Sequence, residues 1–225
     1  MDIRFLGHAC FELASGDARI LIDPFLSGNP KAAAKPDEVE PTHILLTHCH
    51  VDHVLDAVGI AKRTGAACVG VVETANWLEK QGVENVSDPN LGGTVEFDWG
   101  WVKLVQALHS SETPDGTVTY ASGLVVNLGG TTVFHLGDTC LFGDLRLIAQ
   151  RTPVDVALIP IGGHYTMDRH DAVVAADFIG AGTVIPCHYN TFPLIETDAQ
   201  AFKSDVESKT SSKVVVLEPG ETHSA

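Results

Sequence analysis

Basic residues are scarce in this chain: 14 Lys and Arg stand against 29 Asp and Glu among 225 residues, a formal charge of −15. Such a balance adds repulsion at every approach to a phosphate backbone or an anionic bilayer, so nucleic acid and stable membrane association are excluded as first expectations. Long apolar runs are also missing. Stretches such as Ile44-Leu45-Leu46 and Val154 to Ile161 are bounded by charges, Gly or Pro and fall far short of the roughly 20 residues of a bilayer span. At the N-terminus, Asp2, Arg4, His8 and Glu12 interrupt the apolar stretch that a signal peptide needs, and no export is expected. The five cysteines, Cys10, Cys49, Cys68, Cys140 and Cys187, are odd in number and scattered, without the density of a disulfide framework. A reducing, cytoplasmic setting is the expectation, and a homo-oligomer is compatible with it.

The 44% of hydrophobic residues supports a substantial core, and one domain over residues 1–225 is expected. Short apolar strands at Ile3-Phe5, Cys10-Leu13 and Arg19-Ile22 are separated by Gly-containing turns, which reads as a meander. The strand His43-Thr47 leads into a histidine cluster, followed by a helix from Asp52 to Arg63 that Gly65 stops, a strand Ala67-Val72 and a helix Thr74-Lys80. The second half echoes this order. Leu124-Leu128 and Thr132-Leu136 correspond to the early meander, and Val154-Ile161 corresponds to His43-Thr47. A helix Asp171-Ile179 capped by Asp171 corresponds to Asp52-Arg63, and Thr183-Pro186 to Ala67-Val72. Two similar halves predict a sheet-on-sheet α/β sandwich with helices outside and a site where strand ends meet.

The chemistry concentrates in His48-Cys49-His50-Val51-Asp52-His53. A strand ending at Thr47 frees His48 and His50 to converge from a loop while Asp52 and His53 enter a first helical turn. Imidazole and carboxylate ligands suit divalent ions, and a mixed set is typical of open catalytic sites rather than closed thiolate ones. Two metals need at least six ligand positions, and His109, Asp138 and His188, each following a strand, are the candidates that complete the set. His8 either faces the site or is a hydrogen-bonded structural residue. Asp23 is either a turn cap or a carboxylate orienting a ligand His. His164 and Tyr165, in the loop pseudo-equivalent to the His cluster, are candidates for an acid or a substrate contact. His43, His135, His170 and His223 stay unassigned.

With those ligands in that order, and with the flanking segments Gly7-His8-Ala9-Cys10, Leu21-Ile22-Asp23-Pro24-Phe25, Gly137-Asp138-Thr139, Pro160 to Met167 and His188 to Pro193, the chain resembles the metallo-β-lactamase superfamily. Within it the chain resembles the uncharacterised metal-dependent hydrolase branch, which is similar to L-ascorbate-6-phosphate lactonase and, more distantly, to the phospholipase D acting on N-acylethanolamine phospholipids. The resemblance implies an αββα four-layer sandwich and two divalent metals, zinc first, with manganese or iron as alternatives. His48, His50 and His109 would hold one ion, Asp52, His53 and His188 the other, with Asp138 bridging. The activity it implies is hydrolysis of an ester, lactone or phosphodiester of a small-molecule substrate by a hydroxide activated between the metals, with Asp52, His164 and Tyr165 in catalytic roles. The substrate-binding residues of the lactonase do not carry over, since no anion-binding motif appears beyond isolated Lys31, Lys35 and Arg169. The alternatives are an iron-dependent oxidoreductase of the persulfide dioxygenase type and a non-catalytic metal-binding regulator.

Overall fold

The computed structural model describes every residue from Met1 to Ala225. The strands are β1 (Asp2–Gly7), β2 (Cys10–Ser15), β3 (Ala18–Ile22), β4 (His43–Leu45), β5 (Ala67–Val69), β6 (Val86–Ser87), β7 (Thr94–Phe97), β8 (Gly100–Gln106), β9 (Ser122–Leu128), β10 (Thr131–His135), β11 (Val156–Pro160), β12 (Thr183–Cys187), β13 (Lys213–Val214) and β14 (Thr222–Ser224). Two seven-stranded sheets result, ordered β14-β1-β2-β3-β4-β5-β6 and β13-β12-β11-β10-β9-β8-β7. The helices are α1 (Val51–Val54), α2 (Ala57–Thr64), α3 (Val72–Lys80), α4 (Leu145–Arg151), α5 (Arg169–Ile179) and α6 (Ala199–Lys209).

Alternation of side chains along each strand divides the interior into three cores. Ile20, Ile22, Val126 and Leu158 point into the core shared by both sheets. Leu21 points outward, against Ile60 and Ala61 of α2 and Trp77 and Leu78 of α3. Val125, Ala157 and Ile159 point the opposite way, against Ala172 and Ala176 of α5 and Phe202 of α6. Helix, sheet, sheet and helix therefore stack as the four layers expected. The whole of β11 is buried, as a parallel strand covered on both faces must be.

The internal echo is real at the level of pairing. In the first half β2 runs antiparallel to β3, β3 parallel to β4 and β4 parallel to β5. In the second, β9 runs antiparallel to β10, β10 parallel to β11 and β11 parallel to β12.

Four local expectations need correction, the first being that the strand expected over Ala67-Val72 ends at Val69 and the helix expected from Thr74 already begins at Val72. The helix expected over Asp52-Arg63 is two helices, α1 and α2, because Asp56 is drawn away from regular pairing: its N–H donates to Pro24 O at 3.1 Å, and its carboxylate accepts from Leu26 and Ser27 N–H at 2.7 and 2.8 Å. The cap of α5 is Asp168, whose carboxylate accepts from His170 and Asp171 N–H, so Asp171 lies in the first turn instead of capping it. The strand expected over His43-Thr47 ends at Leu45, because the Thr47 N–H is taken by the Asp23 carboxylate. Helices α4 and α6 and the edge strands β6, β7, β13 and β14 were not anticipated. No helix is long and apolar enough to cross a membrane.

Candidate metal centre

The functional side chains sit on loops leaving the strand ends. His48 and His50 follow β4, Asp52 and His53 form α1, His109 follows β8, Asp138 follows β10 and His188 follows β12. All seven predicted ligands are thus brought to one end of the sandwich, four from the first half and three from the second. Non-glycine residues with left-handed backbone number five, His8, Asp23, His164, His188 and Asn190, and all lie in these loops. Such conformations cost about 1–3 kcal/mol each and persist where surrounding structure enforces them.

Three groups of side chains lie close enough to hold an ion; in one of them, Asp23, His48 and His53, the Asp23 carboxylate is taken up by hydrogen bonds from His53 and Thr47, which leaves two. His48 Nε2, His50 Nδ1 and His109 Nε2 face one another, at 3.1 Å between the first two and 3.3 Å between the last two. Tetrahedral ligands at Zn–N distances of 2.0–2.1 Å lie about 3.3–3.4 Å apart, so this spacing is that of three imidazoles around a common cation. The second group is Asp52, His53 and His188, with His8 alongside. Between the groups lies Asp138 Oδ2, at 3.1 Å from His188, 3.5 Å from His53, 3.6 Å from His109 and 3.9 Å from His48, each measured to Nε2.

The donor atoms fit cations on a second count. His53 Nε2, both ring nitrogens of His188 and Asp138 Oδ1 are buried without a hydrogen-bond partner, which is costly for a polar atom unless an ion satisfies it. Burial alone would raise Asp138, but the neighbouring His188 and His53 hold its carboxyl well below the usual range. The histidines respond in kind: burial would lower His53 and His188, and Asp138 overrides it, pushing His188 up to about 9.

An outer layer fixes the ring orientations. Asp23 is buried and accepts from His53 Nδ1 at 2.8 Å and from the N–H and hydroxyl of Thr47, which leaves His53 Nε2 free for an ion. Its role is the orienting carboxylate, one of the two readings left open. The Thr47 hydroxyl, having donated to Asp23, accepts from His48 Nδ1 at 3.0 Å, directing the lone pair of His48 Nε2 inward. His8 also faces the site. It donates from Nε2 to Asp52 Oδ2 at 3.0 Å, because a carboxylate only accepts. Burial and the neighbouring His188 lower His8 to about 4, so the ring is neutral and its Nδ1 accepts from the Thr191 hydroxyl at 2.9 Å. The His8 carbonyl in turn accepts from His188 N–H at 2.7 Å. Nothing in the residue spacing marked Thr47 or Thr191.

His164 and Tyr165 are not brought into the cluster. Their rings pack edge to face on each other in an exposed turn, held near the site because Met167 N–H donates to Thr139 O at 3.0 Å. Cys49 points away from the ligands, toward Thr74 Oγ1 at 3.0 Å, and burial pushes its thiol up to about 11. It is inert filler. His135 is structural, accepting from Gly137 N–H and donating to Ala9 O.

A family model described as the beta-lactamase superfamily domain matches residues 2–188. The chain belongs to the beta-lactamase superfamily. Within that superfamily it is 47% identical over 228 residues to a UPF0173 metal-dependent hydrolase of Methanopyrus kandleri, covering 99% of each chain. It is 43% identical over 222 residues to one of Natranaerobius thermophilus, covering 99% of this chain and 98% of the relative. Among solved structures, Igni18, described as a novel metallo hydrolase from the hyperthermophilic archaeon Ignicoccus hospitalis, superposes with a TM-score of 0.91 at 35% identity over 99% of this chain and 97% of its own. CmlA, a diiron β-hydroxylase from Streptomyces venezuelae, shares the fold at a TM-score of 0.80 and 17% identity, covering 99% of this superfamily member and 53% of CmlA.

Proposed function

We propose that the chain hydrolyses an ester, lactone or phosphodiester bond at a centre of two divalent cations. The observation that supports it is the placement of Asp138 Oδ2 within 3.9 Å of four imidazole nitrogens from both halves of the molecule. In this reading His48, His50 and His109 hold one ion, Asp52, His53 and His188 hold the second, and Asp138 serves both. Two such ions lower the pKa of water toward neutrality and polarise a carbonyl or phosphoryl oxygen. The protein's part is to keep the imidazoles in the metal-binding tautomer, through Asp23 and Thr47, and to keep Asp52 aimed inward, through His8. His164 and Tyr165, on the loop tied to Thr139, are the proposed groups for contact with the leaving group.

Zinc is the expected metal. The test is elemental analysis of the purified protein joined to a screen of phosphodiesters, lactones and thioesters. Asp138→Ala and His50→Ala are each expected to lose metal and at least 100-fold of the metal-dependent rate, in line with the loss of a ligand shared by the reacting site. Unchanged activity in Asp138→Ala sinks the two-metal reading, and stoichiometric iron with no hydrolysis points to the oxidoreductase alternative.

A further inference from the structure

Between α4 and the strands β8 and β9 lies a cavity of about 200 Å³ that none of the candidate metal ligands lines. Strand register sets its floor. Lys103 and Val125 oppose each other on the antiparallel pair β8 and β9, and Val105 follows two residues after Lys103, so all three side chains share one face of the sheet. That face is turned toward the helices, since Val105 and Val125 belong to the core that also holds α5 and α6. Helix α4 makes the other wall. Its Arg146 lies 4.5 Å over the Phe178 ring of α5, while Leu147, Ile148 and Arg151 turn to the cavity, at the three- and four-residue spacings that place side chains on one helical face. Leu147 is left 56% exposed there.

Charge at this cavity runs against the rest of the molecule. With 29 acidic residues to 14 basic ones, the average surface depression is rimmed by carboxylates. This one is lined by two cations, Lys103 and Arg151, and by no acid. Neither cation is ion-paired, whereas Lys35, Arg63, Arg169 and Lys209 are. Two unpartnered positive groups over an apolar floor complement a molecule with an anionic head and a hydrocarbon body, and a guanidinium accepts a carboxylate in a two-pronged hydrogen bond. The body must be small, because the cavity falls below the roughly 300 Å³ at which pockets for drug-sized ligands begin.

We propose that this cavity is a second binding site, separate from the metal centre, for a small aliphatic carboxylate. The hydrocarbon lies on Val105, Val125, Leu147 and Ile148, and the carboxylate sits between Lys103 and Arg151. Occupancy requires no metal ion.

The test is titration calorimetry on the full chain, stripped of metal, with sodium butanoate, hexanoate and octanoate. Affinity is expected to rise about twofold per methylene, half the free energy of full burial, and to fall as salt is added. Octylammonium, with the same body and the opposite charge, is expected not to bind. The double variant Lys103→Gln, Arg151→Gln is expected to bind octanoate about tenfold more weakly, as loss of a charged hydrogen bond implies, and to bind octan-1-ol as before. Leu147→Asp is expected to abolish binding of both. These substitutions fall on exposed or half-buried side chains, so melting temperature and metal content are expected to stay at the parent values. A flat chain-length series, octylammonium binding as tightly as octanoate, undiminished octanoate binding in the double variant, or binding that appears only after metal is added overturns the proposal. So does a dimer in light scattering that Leu147→Asp dissociates, since a second copy of the chain would then cover this face.

Discussion

Single side chains around the cluster are interdependent, and Asp23 and His8 show how. Asp23 carries no ligand atom to an ion, yet it accepts three hydrogen bonds that set His53 and Thr47. Removing an outer partner of a metal-bound imidazole typically costs 10–100-fold in metal affinity. Asp23→Ala is expected to weaken metal binding by about that factor, measured by competition with a chromophoric chelator. His8→Phe keeps a ring of similar size and removes both the Asp52 and Thr191 contacts; a metal affinity about tenfold lower is expected, with full affinity refuting its role as the residue that aims Asp52. The six-residue run from His48 to His53 was legible in sequence because four of its groups are neighbours in the chain. For His8 and Asp23 the sequence left two readings open, and Thr191 went unmarked, since each takes its role from a partner 30 or more residues away, and nothing local distinguishes an orienting carboxylate from a turn cap.

At the scale of elements, strands with apolar alternation were readable, and so was the order in which the two halves replay each other. What escaped reading is where local preference yields to distant contacts. The pattern from Asp52 to Arg63 is helical by propensity, but the bonds of Asp56 to the Pro24–Ser27 loop split it; the gain is that α1 becomes a short, separately aimed turn bearing Asp52 and His53. Helix α6 has a hydrophilic sequence with only Ala199, Phe202 and Val206 buried, too sparse a stripe to stand out. Its start is set by Asp198, which accepts from Gln200 and Ala201 N–H. Asp168 caps α5 in the same way. Loss of such a cap costs roughly 1 kcal/mol, so Asp168→Ala is expected to lower the melting temperature by about 2–4 °C while leaving metal content unchanged. A differential scanning measurement checks the first part, and metal loss in the variant would show that the 162–168 loop supports the ligands more directly than its hydrogen bonds indicate.

For the whole molecule, the decisive fact is that the candidate ligands come from both halves. Any ion held between His48, His53, His109, Asp138 and His188 binds the folded chain and not the separated segments. At an ion concentration 100 times the dissociation constant this linkage is worth about 2.7 kcal/mol, or about 5–10 °C in melting temperature for a chain of this size. Chelation followed by dialysis is expected to lower the melting temperature by that amount, and added zinc to restore it; an unchanged melt would mean that the cluster binds no ion tightly. The contact from His188 N–H to the His8 carbonyl joins residues 180 positions apart, whereas the strands of each sheet, β14 on β1 apart, come from one half of the chain. Contacts that span so much chain form late, after loop-closure entropy has been met. Capture of an ion by a refolding chain should therefore lag behind the appearance of sheet, and a zinc-sensitive dye in the refolding buffer would serve as a clock for the moment at which the two halves dock.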